Sequence, residues 1–378
     1  MGQEMIFGGS PVNDRERILT MLAGGRPDRL PWFGDLAYWA TAMEHRGQVP
    51  EGWQSTEAYY AFHRELGVGF YLQGYWAFRE VTAEDVQVVE RREGDCRIRT
   101  VETPVGTLRE VWRFLKEPCT WAPVEHMVKS VKDLAILAYW YAHTDYEPAP
   151  EEALRRRPWL EDLGLVLCYL PRSPFMELTA ILAGIRNIVD IWLESPEAFD
   201  ATIETLYASF DRAAEAALAV PADCFMIPEN LSSQVVGRRF YNRYVAPWER
   251  KWVRCIRERG GYSFIHMDGT LAGLLPQVAT VGFDVIEAAT PAPVGDLAVE
   301  LWRDVAGPGP ILWGGIPGVY FTPLVSNAEF ERHVRQVIEI MAADGRMVLG
   351  VADQVPPDGL RSRVAAVVEL VERYGHYA

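Results

Sequence analysis

The chain has 378 residues, 49% hydrophobic and 12% aromatic, with 52 acidic against 37 basic side chains and a net charge of -15. That balance excludes nucleic acid or an anionic membrane surface as the main partner, since both attract basic patches, and so large an apolar fraction excludes bulk disorder. No run of ~18 apolar residues suggests a transmembrane helix, Met1 to Asp14 lacks the basic start and apolar core of a secretory leader, and Cys96, Cys119, Cys168, Cys224 and Cys255, without a CxxC or CxH pair, read as reduced thiols of a cytoplasmic protein.

Asn13 opens a first helix, with Glu16 three residues on as a capping box requires, and Gly24-Gly25 ends it. Leu30-Pro31-Trp32-Phe33 reads as a first strand ending near Asp35, Thr56 to Leu66 as a helix, and Gly69 to Leu72 as a short second strand. From Val86 to Trp112 the alternation and intervening glycines predict antiparallel strands, an insertion on a larger scaffold. Val131 to His143 returns to helix, and Asp145 to Pro158 is a Pro- and charge-rich surface connection with a short helix.

Gly164 to Tyr169 is a strand leading into Pro171-Arg172-Ser173-Pro174. Ser195-Pro196-Glu197 starts a helix that runs to about Leu218, with the Ser at the cap and the Pro in the first turn. Strands then alternate with helices: Cys224 to Ile227, ending at Glu229 and Asn230; Tyr262 to Ile265, ending at His266 and Asp268; Asp284 to Ile286, ending at Glu287; Ile311 to Trp313; and Arg346 to Leu349, ending near Asp353. The helices between and after them are expected over Arg238–Arg259, Leu271–Val281, Asp296–Ala306, a segment capped by Asn327, and a last helix from Leu360. Such units predict a parallel sheet with helical crossovers. With the earlier strands the count approaches eight, which favours a (β/α)8 TIM barrel carrying a small antiparallel β insertion near residues 86–112, all one domain over residues 1–378; a doubly wound sheet is the alternative. No GxGxxG follows a strand and no P-loop is present, so nucleotide binding lacks support.

In a barrel the C-terminal ends of the strands share one mouth. Glu229, Asn230, His266, Asp268, Glu287 and Asp353 would meet there, with Trp32, Asp35, Trp39 and Trp313 around a pocket. A lone strand-end acid is as readily a helix cap or turn former; the phasing over successive strands is what points to a site. One His among carboxylates suits a divalent metal such as Zn2+ and suits acid–base work on an organic substrate equally.

Arg15-Glu16-Arg17-Ile18-Leu19, Arg26-Pro27-Asp28-Arg29-Leu30-Pro31, Thr103 to Leu108, His266-Met267-Asp268-Gly269, Gly282-Phe283-Asp284-Val285 and Gly350-Val351-Ala352-Asp353 occur in an order that resembles the uroporphyrinogen decarboxylase superfamily, including its corrinoid-dependent methyltransferases. The resemblance runs from Arg15 to the C-terminus and implies a barrel with its site at the mouth. The departures narrow the reading. The decarboxylases carry paired arginines after the first strand, where this chain has Trp32 to Trp39 with no arginine, so a polycarboxylate is not expected as substrate. Thiol-activating methyltransferases use His-x-Cys and a later Cys on zinc; here Asp268 replaces the first Cys and Val351 to Asp353 contain none.

The resemblance therefore implies a substrate-side methyltransferase. It would move a methyl group from a small methoxylated compound, aromatic ones included, to a corrinoid-binding protein. His266, Glu287 and Asp353 would hold Zn2+, Asp268 and Glu229 would act in catalysis, and Trp32, Asp35, Trp39, Asn230 and Trp313 would bind substrate. A homodimer is compatible with this reading. The alternative is a metal-free lyase or decarboxylase acting on a small organic acid.

Overall fold

The computed structural model describes residues 12–71 and 75–377. Most of the N-terminal stretch read for a leader, and Leu72 of the expected second strand, lie outside the described residues. The strands, in chain order, are Trp32–Phe33 (β1), Phe70–Tyr71 (β2), Phe78–Thr82 (β3), Gln87–Glu93 (β4), Cys96–Thr103 (β5), Gly106–Leu115 (β6), Thr120–Glu125 (β7), Thr144–Pro148 (β8), Gly164–Leu165 (β9), Leu167–Tyr169 (β10), Cys224–Ile227 (β11), Tyr262–His266 (β12), Val285–Ala289 (β13), Ile311–Pro317 (β14) and Met347–Ala352 (β15).

A seven-stranded sheet runs in the order β1-β15-β14-β13-β12-β11-β10, and its neighbours are parallel throughout. β2 pairs in parallel with β9, and a parallel bridge between Phe33 and Gly69 ties the approach to β2 onto β1. The chain is thus a mixed α/β protein with a TIM-barrel-like strand order.

Alternation along each strand separates two cores. Phe33, Tyr71, Leu167, Cys224, Met226, Phe264, Val285, Ile311, Trp313 and Val348 point to the inside of the sheet. Ile18 and Met21 of the helix Asp14–Leu22 join that cluster. That helix has the expected capping box, with Asn13 accepting from the Glu16 backbone N–H and Glu16 accepting from that of Asn13. Arg15 fixes it by a two-pronged bond to Asp223 at 2.8 and 2.9 Å, just before β11. The intervening residues, such as Phe225, Ile227, Ile265, Ile286 and Leu312, belong to the core under the helices.

The insertion is wider than residues 86–112. β4 to β7 form a four-stranded antiparallel sheet, and β3 pairs with β8 across residues 78–82 and 144–148. The β3–β8 pairing joins segments far apart in sequence, and Pro123 interrupts the pattern of β7, so neither end was marked by local alternation. Three further expectations shift. Trp39 sits on the helix Ala37–His45 and packs into the core, where a pocket-lining position was expected. The helix after β12 is only Leu275–Val278, since the stretch from Thr270 to Ala272 is held as a loop in which the Asp296 carboxylate accepts from the backbone N–H groups of Leu271 and Ala272 at 2.7 and 3.1 Å. Ser326, not Asn327, caps the helix Asn327–Asp344, and Asn327 instead accepts from Arg363 at 3.0 Å.

Candidate functional site

The inward series of each strand continues into the site. Phe33 leads to Asp35, Leu167 to Tyr169, Met226 to Pro228, Phe264 to His266 and Val285 to Glu287, each two residues on and so on the same face. Asp35, Tyr169, Met226, Pro228, Asn230, His266, Asp268, Glu287, Asp353 and Gln354, together with Arg172, line a cavity of about 220 Å3.

Glu287 is the fixed centre of this cavity. It is 1% exposed, accepts the Tyr71 hydroxyl on Oε1 at 2.7 Å, and takes the His266 Nδ1–H on Oε2 at 2.6 Å. Both of its oxygens are therefore engaged. The bond to Nδ1 fixes the ring and leaves His266 Nε2 facing Asp353 Oδ1 at 3.7 Å, beyond hydrogen-bond range. Burial alone would lower the imidazole pKa, but the Glu287 charge and hydrogen bond, with Asp353 and Asp268 behind them, raise it to about 10. The raised pKa favours the imidazolium, whose Nε2–H would face the cavity. Asp35 lies in the same wall. Burial and then the Asp353 and Glu287 charges raise it to about 8, against a 2.7 Å bond from the Ala37 N–H. Asp353 is likewise raised, first by burial, with His266 opposing.

The backbone is bent where it delivers these groups. Asn230, Ala288 and Asp353 have φ of 53°, 63° and 70°, left-handed values that carry strain in non-glycine residues and gather at functional sites.

Six of the ten residues expected at the site share this one cavity: Asp35, Asn230, His266, Asp268, Glu287 and Asp353. The other four lie elsewhere. Trp313 points inward one layer deeper, packed edge-on against Phe33 at 5.1 Å, Tyr71 at 5.0 Å and Phe264 at 5.8 Å. Trp32 and Trp39 belong to the core under the helices. Glu229 has the parity of Phe225 and Ile227 and points out of the sheet, where the Ser173 N–H and hydroxyl donate to it at 3.0 and 3.1 Å. Burial raises its pKa to about 7. Sequence reasoning missed Tyr71, Tyr169, Arg172 and Gln354. The period-2 rule, counted forward from Leu167, would have found Tyr169; Arg172 has no such signal.

The donor set can be weighed against a resident metal. Among the described residues no group of three His, Cys, Asp or Glu side chains is arranged to hold one. Glu287 already accepts from Tyr71 and His266 on its two oxygens, and Asp353 Oδ1 lies 3.7 Å from His266 Nε2. As they stand these residues do not fit a zinc site made of His266, Glu287 and Asp353; Glu287 has the position of a group that orients His266.

A sequence model described as uroporphyrinogen decarboxylase (URO-D) matches residues 170–374, more than half of the chain. A solved structure of a methyltransferase from Methanosarcina mazei aligns with a TM-score of 0.61 at 12% sequence identity, covering 96% of this chain and 99% of that one. At that identity the likeness is one of fold. No curated protein matches the chain. Among the described residues no helix is long and apolar enough to cross a membrane.

Proposed function

Because the chain belongs to the uroporphyrinogen decarboxylase family, we propose that it is a methyl-transfer enzyme of that family's corrinoid-linked kind, taking the methyl group from an oxygen of a small methoxylated compound. A corrinoid carried by a partner protein would supply the nucleophile. The observation that carries this reading is the His266–Glu287 pair, with Nδ1–H bound at 2.6 Å and the opposite N–H free to face a bound oxygen. As the methyl carbon leaves, the C–O electron pair stays on oxygen and takes a proton from His266 Nε2. An acid with a pKa of about 10 is matched to a phenol-like leaving oxygen, whose own value is about 10. Glu287 holds the imidazolium in place and Tyr71 holds Glu287. The cavity of about 220 Å3 with its acidic wall disfavours a tetrapyrrole bearing many carboxylates. The (β/α)8 reading of the fold is supported by the hydrogen-bonded path from β1 through Gly69 to β2, from β2 to β9, and along the chain into β10.

A lyase reading is favoured by one observation, the Asp35 carboxyl raised to about 8 in the cavity that His266 lines. Such a group could protonate a carbanion left by loss of carbon dioxide.

The test is a panel of methoxylated compounds with cob(I)alamin, followed by the absorbance of methylcobalamin. Methyl transfer that His266→Asn stops, and that chelator treatment leaves intact, is expected. Absence of transfer across the panel overturns the reading, and release of carbon dioxide from a small acid selects the lyase. Loss of rate on chelation with recovery on adding Zn2+ overturns the role of His266 as the acid.

A further inference from the structure

A second and larger cavity, of about 390 Å3, abuts the acidic one. Trp76, Phe78, Tyr141, Tyr146 and Phe210 form its aromatic walls. They meet in edge-to-face pairs, Phe78 on Trp76 at 5.8 Å, Phe78 on Tyr146 at 5.6 Å and Tyr141 on Phe210 at 5.2 Å. The cavity opens to solvent at Trp76, so a guest can enter it from the surface. Trp76, Phe78, Tyr141 and Tyr146 all lie outside residues 170–374, the part matched by the family model. The cavity is therefore mostly a product of the antiparallel insertion and its flanking helix.

Arg172 belongs to both cavities. Its guanidinium lies 5.5 Å over the Trp76 ring and 3.2 Å from Glu177, and its buried Nε finds no hydrogen-bond partner among the described residues. Trp76 in turn packs at 5.4 Å on Tyr169 of the acidic cavity. The two cavities thus share Arg172 and are joined through the Trp76–Tyr169 contact.

We infer that this cavity takes the body of the substrate, and that the body is an uncharged arene of one or two rings bearing hydroxyl or methoxy oxygens. The word substrate here rests on the methyl-transfer reading; the binding chemistry does not. An apolar cavity of about 150 Å3 suffices for benzene, so the space fits one or two rings. Edge-to-face walls suit a further ring. The Arg172 guanidinium, which lines the cavity, offers N–H donors to a neutral oxygen. Arene carboxylates are disfavoured, because Glu80 and Glu177 face the cavity and Glu177 already pairs with Arg172.

The test is calorimetric titration of the full chain with 2-methoxyphenol, 4-methoxybenzoate and cyclohexyl methyl ether. Trp76→Ala is the chosen variant because Trp76 is 38% exposed and its loss leaves the fold in place, which circular dichroism checks. The expected result is that 2-methoxyphenol binds at least about tenfold more tightly than either of the other two, and that Trp76→Ala removes about tenfold of that affinity. Glu177→Gln, which releases Arg172, is expected to improve benzoate binding. Equal binding of the benzoate or of the saturated ether, affinity unchanged in Trp76→Ala, or no binding of any arene overturns the inference. Failure of the methyl-transfer reading is visible separately: Trp76-dependent binding of 2-methoxyphenol without methylcobalamin formation removes that reading and leaves this one standing.

Discussion

Two buried glutamates on opposite sides of the sheet accept a tyrosine hydroxyl and otherwise differ. Inside, Glu287 accepts from Tyr71 at 2.7 Å and pairs with a histidine cation. Outside, Glu249 of the helix Ala246–Glu258 accepts from Tyr241 at 2.5 Å, and its neighbour is another acid, Glu229. Burial pushes Glu249 well above the ordinary carboxylate range, and the Glu229 charge pushes it further. Its second oxygen finds no partner among the described residues. Equal burial thus goes with different partners. The inner carboxylate is bonded to a histidine ring; of the outer two, Glu229 accepts from the Ser173 turn, and burial raises both of their pKa values.

The largest break in this comparison is expected from Glu287→Gln. It removes the charge that raises the His266 pKa, and methyl transfer should fall by about 10^2 to 10^4-fold in single-turnover assays, while Glu249→Gln, outside the cavity lining, leaves the rate intact. Next comes Glu229→Ala. It leaves the buried Ser173 N–H and hydroxyl unpaired and should cost about 1–3 kcal/mol in denaturant unfolding, whereas Glu229→Gln keeps an acceptor and costs less.

The smallest effect is a division of the pH dependence of stability. Folded Glu229 keeps its proton to about 7 against an ordinary 4.5, so stability is full below 4.5 and declines as pH rises through that window. Folded His266 keeps its proton to about 10 against an ordinary 6.5, so its contribution is full below 6.5 and is lost as pH rises through about 10. Thermal melts from pH 4 to 11 should show both declines. Glu229→Gln should flatten only the lower one and His266→Asn only the upper; a single variant that flattens both would show that the two clusters titrate as one.

The C-terminal half was legible because each strand there is a short apolar run closed by turn and cap signals, and each helix keeps one apolar face. His266, Asp268, Glu287, Asp353, Asn230 and Asp35 could be listed from strand ends alone. Which face each side chain takes was not read, although it follows from alternation: Glu229 and Trp32 fall on the outward register, and Trp313 on the inward one but a layer deeper. The aromatic cavity was illegible for a different reason. Its walls come from β3, β8 and two helices, and the pairing of residues 78–82 with 144–148 is a tertiary choice with no local signature. Arg172 looked like turn material between Pro171 and Ser173, and only the cavities on either side of it give it a role.

Asp353 sits at φ 70°, a backbone state open to Asn, Asp and Gly and costly for longer side chains. Sequence drift at this position is therefore channelled. Glutamate, which would preserve the charge facing His266, strains the turn, whereas asparagine preserves the turn and discards the charge. The acid at the rim of the cavity can be lost in a single tolerated step but cannot be lengthened, so relatives that change their chemistry here should do so through Asn or Gly.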